Sequence, residues 1–114
     1  MPLNELEQQR VERIIGEFCR KRIPPHLLNE IRLLYKIRGN DVVIYESRPH
    51  GQEKDTWTET PIARCTHDPK TKTWMLYWQR ANGIWMKHPD VKPAKDLKSL
   101  IPIIDNDPLQ VFWG

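Results

Sequence analysis

Cysteine is scarce in this chain: there are two, Cys19 and Cys65. Two cysteines make no disulfide framework. The absence of any Cys-x-x-Cys or His-Glu-x-x-His spacing argues against a zinc site. Long apolar runs are missing too. No stretch approaches the ~18 residues of a membrane span, and the opening Pro-Leu-Asn-Glu-Leu-Glu has no apolar signal segment. These absences lead to the expectation of a cytoplasmic protein with free cysteines. Cys19 is expected on the inner face of a helix and Cys65 within a strand, each acting as a small hydrophobe. There are no internal repeats and no low-complexity segments. Among the nucleophile candidates Cys19, Cys65, Ser47 and Ser99, none sits in a glycine-rich elbow or a helix N-terminal turn, so no triad is visible.

What the chain does have is an aromatic hairpin. Three of its five tryptophans lie within Trp74–Trp85, where two strand-like runs flank Asn82-Gly83. At 114 residues the chain is expected to form one domain, able to bury roughly two-thirds of its unfolded surface. The net charge of +3 is unevenly spread. Residues 39–61 carry two basic and five acidic side chains, whereas residues 62–98 carry eight basic and three acidic. A basic second half suits an anionic partner, and it also suits ordinary solubility.

Periodicity predicts an amphipathic helix over residues 4–22, with Val11, Ile14, Ile15, Phe18 and Cys19 on its inner face. Asn4 with Glu7 forms a capping-box pattern, Arg20-Lys21-Arg22 suits the last turn, and Pro24-Pro25 ends the helix. Residues 31–38 alternate, with Ile31, Leu33, Tyr35 and Ile37 on one face and Arg32, Lys36 and Arg38 on the other. Gly39-Asn40 turns the chain into a second strand, from Asp41 to about Arg48. Pro49 to Asp55 reads as a mobile polar loop. Further strands are predicted near Trp57–His67, Thr73–Arg80 and Ile84–His88. Asp96 is expected to cap a short helix through Leu97, Leu100, Ile101 and Ile104, with Pro102 kinking or shortening it. The Phe112-Trp113 tail is expected to dock on the body. The fold class is therefore α+β: an N-terminal helix, an antiparallel meander of about five strands and a short C-terminal helix. One sheet face is covered by helices and the other is partly open.

The ordered pieces Arg32-Leu-Leu-Tyr-Lys-Ile37, Gly39-Asn40, Tyr45-Glu46-Ser-Arg48-Pro49-His50, Trp57-Thr58, Pro61-Ile-Ala-Arg64, Trp74-Met-Leu-Tyr-Trp78, Asn82-Gly83-Ile-Trp85, Asp96-Leu97 and Phe112-Trp113-Gly114 span nearly the whole chain. In this order they resemble a family of small bacterial proteins grouped as a domain of unknown function. The resemblance implies a shared layout. It supplies no activity, cofactor or catalytic residue.

Two sets of residues are candidates for binding. Glu46, Arg48 and His50 share strand parity. An acid, a fork-shaped cation and an imidazole suit a carboxylate or phosphate, but the reading that comes first is a strand-end ion pair beside a solvated histidine. Tyr77 and Trp85 are ligand-binding candidates on the hairpin. With the cations Arg32, Lys36, Arg38, Arg64, Arg80 and Lys87 they form a nucleic-acid pattern, aromatics for bases and cations for phosphates. No RNP-like motif, zinc finger or helix-turn-helix accompanies it. His50, Cys65, His67 and His88 are scattered, and no metal or cofactor is expected. The leading expectation is a non-enzymatic binding or protein-interaction module, with a homodimer or protein partner. The alternative is a nucleic-acid-binding domain that uses a basic aromatic sheet face. An enzyme centred on Glu46, Arg48 and His50 stands third.

Overall fold

A computed structural model describes residues 2–50 and 56–113. Helix α1, Glu5–Arg22, begins where Asn4 Oδ1 accepts the Glu7 N–H at 2.8 Å, while the Glu7 carboxylate pairs with Arg10. Val11, Ile15, Phe18 and Cys19 are buried, as the helical spacing predicts. Pro24 stops the helix, and Pro25–Leu27 make one 3-10 turn into the sheet.

Five antiparallel strands follow in chain order: β1 Arg32–Arg38, β2 Asp41–Pro49, β3 Trp57–Asp68, β4 Thr73–Gln79 and β5 Trp85–Lys87. The turns are set by residues that accept positive φ. Gly39 (φ +62°) joins β1 to β2, and Asn40 beside it keeps a negative φ, the pattern of a type II′ turn. Between β4 and β5, Gly83 N–H bonds the Arg80 carbonyl and Arg80 N–H bonds the Ile84 carbonyl, with Gly83 at φ +88°. This is a three-residue loop with a bulge. Residues 51–55 of the predicted Pro49–Asp55 loop lie outside the described residues, as does Gly114.

Register places Leu33, Tyr35 and Ile37 in line with Val42 and Ile44, then Ala63 and Cys65, then Leu76. That face is covered. Val42, Ile44, Ala63, Cys65 and Leu76 have no exposed surface and pack with Val11 and Ile15 of α1. Burial of each of Val42, Ile44 and Leu76 contributes about 1.5–3 kcal/mol.

The predicted C-terminal helix is split. Asp96 caps a 3-10 turn, Leu97–Leu100, by accepting the Lys98 N–H, and α2, Ile101–Asn106, starts afresh. Pro102 sits in the first turn of α2, where its missing N–H costs nothing. The tail then docks. Asp107, in the left-handed region at φ +44°, accepts N–H bonds from Val111, Phe112 and Trp113, and Trp113 Nε1 donates to the Ile104 carbonyl. Phe112 is buried in the same core as Trp74.

Candidate functional site

Among the described residues no helix covers the other face of the sheet, and the residues of that face follow from the register. Lys36, Val43, Arg64, Tyr77 and Lys87 lie side by side across all five strands. Trp85 lies two residues from Lys87 on the same side of β5, opposite Gln79. Arg32, Leu34 and Arg38 of β1, and Tyr45 of β2, share this face.

A bulge decides what else joins it. Ile44 pairs with Ala63 but Tyr45 pairs with Pro61, so Ile62 is an extra residue and the parity of β3 flips there. Trp57 and Glu59 therefore face the same way as Arg64, although simple alternation separates odd from even positions. Tyr45 and Trp57 are thus members of the face that reading the candidate residues by type did not single out. Parity with Val43 was enough to find Tyr45. For Trp57 the unseen bulge hid the signal.

Cations lie against the rings of this face. The Arg32 guanidinium carbon is 4.1 Å from the Trp57 ring centre, and Lys36 Nζ is 5.0 Å from that of Tyr45. Arg64 is shared between two rings, 4.1 Å from Tyr77 and 5.3 Å from Trp85. Its Nε is buried without a hydrogen-bond partner. Neither Arg64 nor Lys87 makes an ion pair among the described residues, whereas Lys36 is paired with Glu59. The face carries Arg32, Lys36, Arg38, Arg64 and Lys87 against Asp41, Glu59 and Asp68, an excess of positive charge. Asp41 accepts from the Thr66 hydroxyl, and Asp68 Oδ1 accepts the Lys70 N–H, which holds its carboxyl below the usual range.

The remaining candidates separate from this face. Glu46 and Arg48 point to the helix side, beyond the covered part of the sheet, and pair with each other at 2.7 Å. His50 lies one residue past β2, exposed, with its backbone N–H on the Thr56 carbonyl. Arg80 sits in the β4–β5 loop and is exposed. Tyr77 and Trp85 therefore belong with Arg32, Lys36, Arg38, Arg64 and Lys87, and not with Glu46, Arg48 and His50.

The histidines and cysteines do not converge. Among the described residues, no three His, Cys, Asp or Glu side chains are placed to hold a metal ion. His67 packs on Trp74 with ring centres 4.9 Å apart, and His88, 1% exposed, stacks on Phe112. Burial pushes the thiols of Cys19 and Cys65 up to about 12. Two concavities are lined by described residues. A groove of about 880 Å³ lies between α1 and α2, floored by Ile14, Phe18 and Ile101. A recess of about 450 Å³ opens on the uncovered face beside Tyr77 and Lys87.

The fold and this face define a small α+β protein in which an antiparallel meander, backed by a helix, presents an aromatic and cationic surface. The chain belongs to the family described as domain of unknown function DUF3024, whose family model matches residues 3–114. No curated protein and no solved structure matches it. No helix among the described residues is long and apolar enough to cross a membrane.

Proposed function

We propose that this protein is a small binding module whose open sheet face takes single-stranded nucleic acid. The observation that carries the reading is Arg64 lodged between Tyr77 and Trp85, with no carboxylate partner among the described residues and Lys87 in register beside it. Ring faces on a sheet stack bases of any sequence, and cations next to them neutralise phosphate. Neighbouring strands lie about 4.8 Å apart, so Lys36, Arg64 and Lys87, on alternate strands, form a track with steps of roughly 10 Å.

The protein-interaction reading draws on the hairpin and the tail. Trp74 and Phe112 are in the core, and Trp78 and Trp113 are half-buried against it. The exposed large hydrophobes are Leu6, Leu28, Ile84, Met86 and Leu109. Of these, Ile84 and Met86 share the β4–β5 hairpin with Trp78, and Met86 is Trp78's register partner. That short apolar edge is what favours a protein partner or second copy as the alternative.

The test is anisotropy of a fluorescent single-stranded oligonucleotide at low salt. Arg64→Ala and Trp85→Ala are each expected to weaken binding by about tenfold, the contribution of a phosphate contact or one stacked base. Arg48→Ala, on the opposite side, is expected to leave it unchanged. Equal loss from all three, or no binding by the parent protein, would overturn the reading.

A further inference from the structure

The recess beside Tyr77 and Lys87 has the makings of a base pocket. Its lining includes Thr66, Asp68, Met75, Tyr77, Lys87 and Pro93. Thr66 and Met75 are register partners, and Tyr77 and Lys87 are the next pair along, so the floor is built from three adjacent strands. Pro93 closes one side. It is held there because Ala94 pairs with Trp74 through two backbone hydrogen bonds, which bring the segment after β5 back to the edge of β4. At about 450 Å³ the recess is within the range of small-ligand sites.

The polar groups on its rim are of two kinds. Lys87 is a cation without an ion pair among the described residues. Asp68 and Thr66 are acceptors. The Asp68 carboxylate accepts the Lys70 N–H on Oδ1 and is also bonded by the Thr71 N–H and hydroxyl, and the Thr66 hydroxyl spends its proton on Asp41 Oδ1. A carboxylate has about four acceptor positions, so Asp68 keeps one for a further donor, and the Thr66 oxygen keeps its lone pairs. An apolar floor with an aromatic ring, two acceptors and a cation matches a nucleotide whose base bears an exocyclic amine. The amine meets the acceptors and the phosphate meets the ammonium.

The geometry points to this recess as the subsite for one amine-bearing nucleotide of the bound strand, with Asp68 reading the amine and Lys87 holding the phosphate. The inference rests on the nucleic-acid reading and adds base preference to it. The recess shares Tyr77 and Lys87 with the cation track, so a strand lying on that track passes its mouth.

CMP and UMP make the sharpest pair of probes, since they differ at the amine. Both are titrated into isotope-labelled full-length protein and followed by amide NMR. CMP is expected to shift Thr66, Met75, Tyr77 and Lys87 saturably and to bind at least about tenfold tighter than UMP, the contribution of one hydrogen bond to a charged acceptor. Asp68→Asn, which can still accept the Lys70 N–H, is expected to erase the difference. Lys87→Ala is expected to erase the advantage of CMP over cytidine. Equal binding of CMP and UMP, or shifts centred elsewhere, would overturn the subsite. A dodecamer control separates the two claims. If single-stranded oligonucleotides bind while CMP leaves the recess untouched, the subsite alone fails. If the dodecamer does not bind either, the nucleic-acid reading fails with it.

Discussion

Asp107 does more for the tail than any other single side chain. One carboxylate receives three backbone N–H groups, from residues 111, 112 and 113, and only 8% of the residue is exposed. Hydrogen bonds to a charged group are the strong ones, and their loss leaves buried donors unpaired. Asp107→Ala is expected to cost about 3 kcal/mol in urea unfolding, with Trp113 emission moving to the red. An unchanged midpoint would mean that packing of Phe112 and Trp113 alone holds the tail. The two thiols give a second prediction. Burial raises both to about 12, above the ordinary cysteine value. A raised folded value means full stability below the unfolded value, with stability lost as pH rises toward the folded one. Unfolding midpoints are therefore expected to hold from neutral pH to about pH 8.5 and to fall above it. At neutral pH neither thiol should react with a colorimetric disulfide reagent until the protein is denatured. Rapid reaction of one thiol in the native protein would show that its burial is transient. The docked tail was legible in the sequence because Phe112 and Trp113 need cover. Asp107 was not, because an aspartate that caps by left-handed geometry looks like any turn residue.

At the scale of elements, local chemistry explains why most boundaries could be read in advance. The alternation in residues 31–38, the glycine turns at 39 and 83 and the Asn4 cap each act within a few residues. Two features could not be read so. Pro102 is expected to kink or shorten the C-terminal helix, and the helix does break beside it, but the second piece that starts at Ile101 could not be read in advance. Ile62 is bulged out by the pairing of β2 with β3, a tertiary fact that reverses facing along half of β3. One turn also carries strain that a substitution can relieve. Lys72 ends the Asp68–Thr73 loop in the left-handed region at φ +56°, with its N–H on the Asp68 carbonyl. Lys72→Gly is expected to raise stability by about 1 kcal/mol, since glycine adopts this φ freely. A loss of stability there would mean that the lysine side chain makes contacts outweighing the backbone strain.

For the molecule as a whole, the central consequence of the fold is asymmetry between the two faces of the sheet. One face is closed by α1 and the docked C-terminal segment. The other gathers Trp57, Tyr45, Tyr77 and Trp85 with Arg32, Lys36, Arg64 and Lys87. Sequence alternation separated the cations of β1 from its apolar side, and it separated Tyr77 from Trp74 and Trp78. Which cation meets which ring depends on the register of five strands and one bulge, so the Arg64 site was not legible as a unit. The same register parts Glu46 and Arg48 from the aromatic candidates, which their shared presence in a polar cluster did not reveal. Tryptophan fluorescence during titration with single-stranded RNA and DNA at two salt concentrations tests nucleic-acid binding by the open face most directly. Quenching is expected at low salt, and Trp57→Phe and Trp85→Phe are each expected to diminish it. The affinity should fall steeply with salt, with a logarithmic slope of about −0.7 for each phosphate neutralised. No quenching at low salt, or quenching indifferent to salt, would contradict nucleic-acid binding by this face.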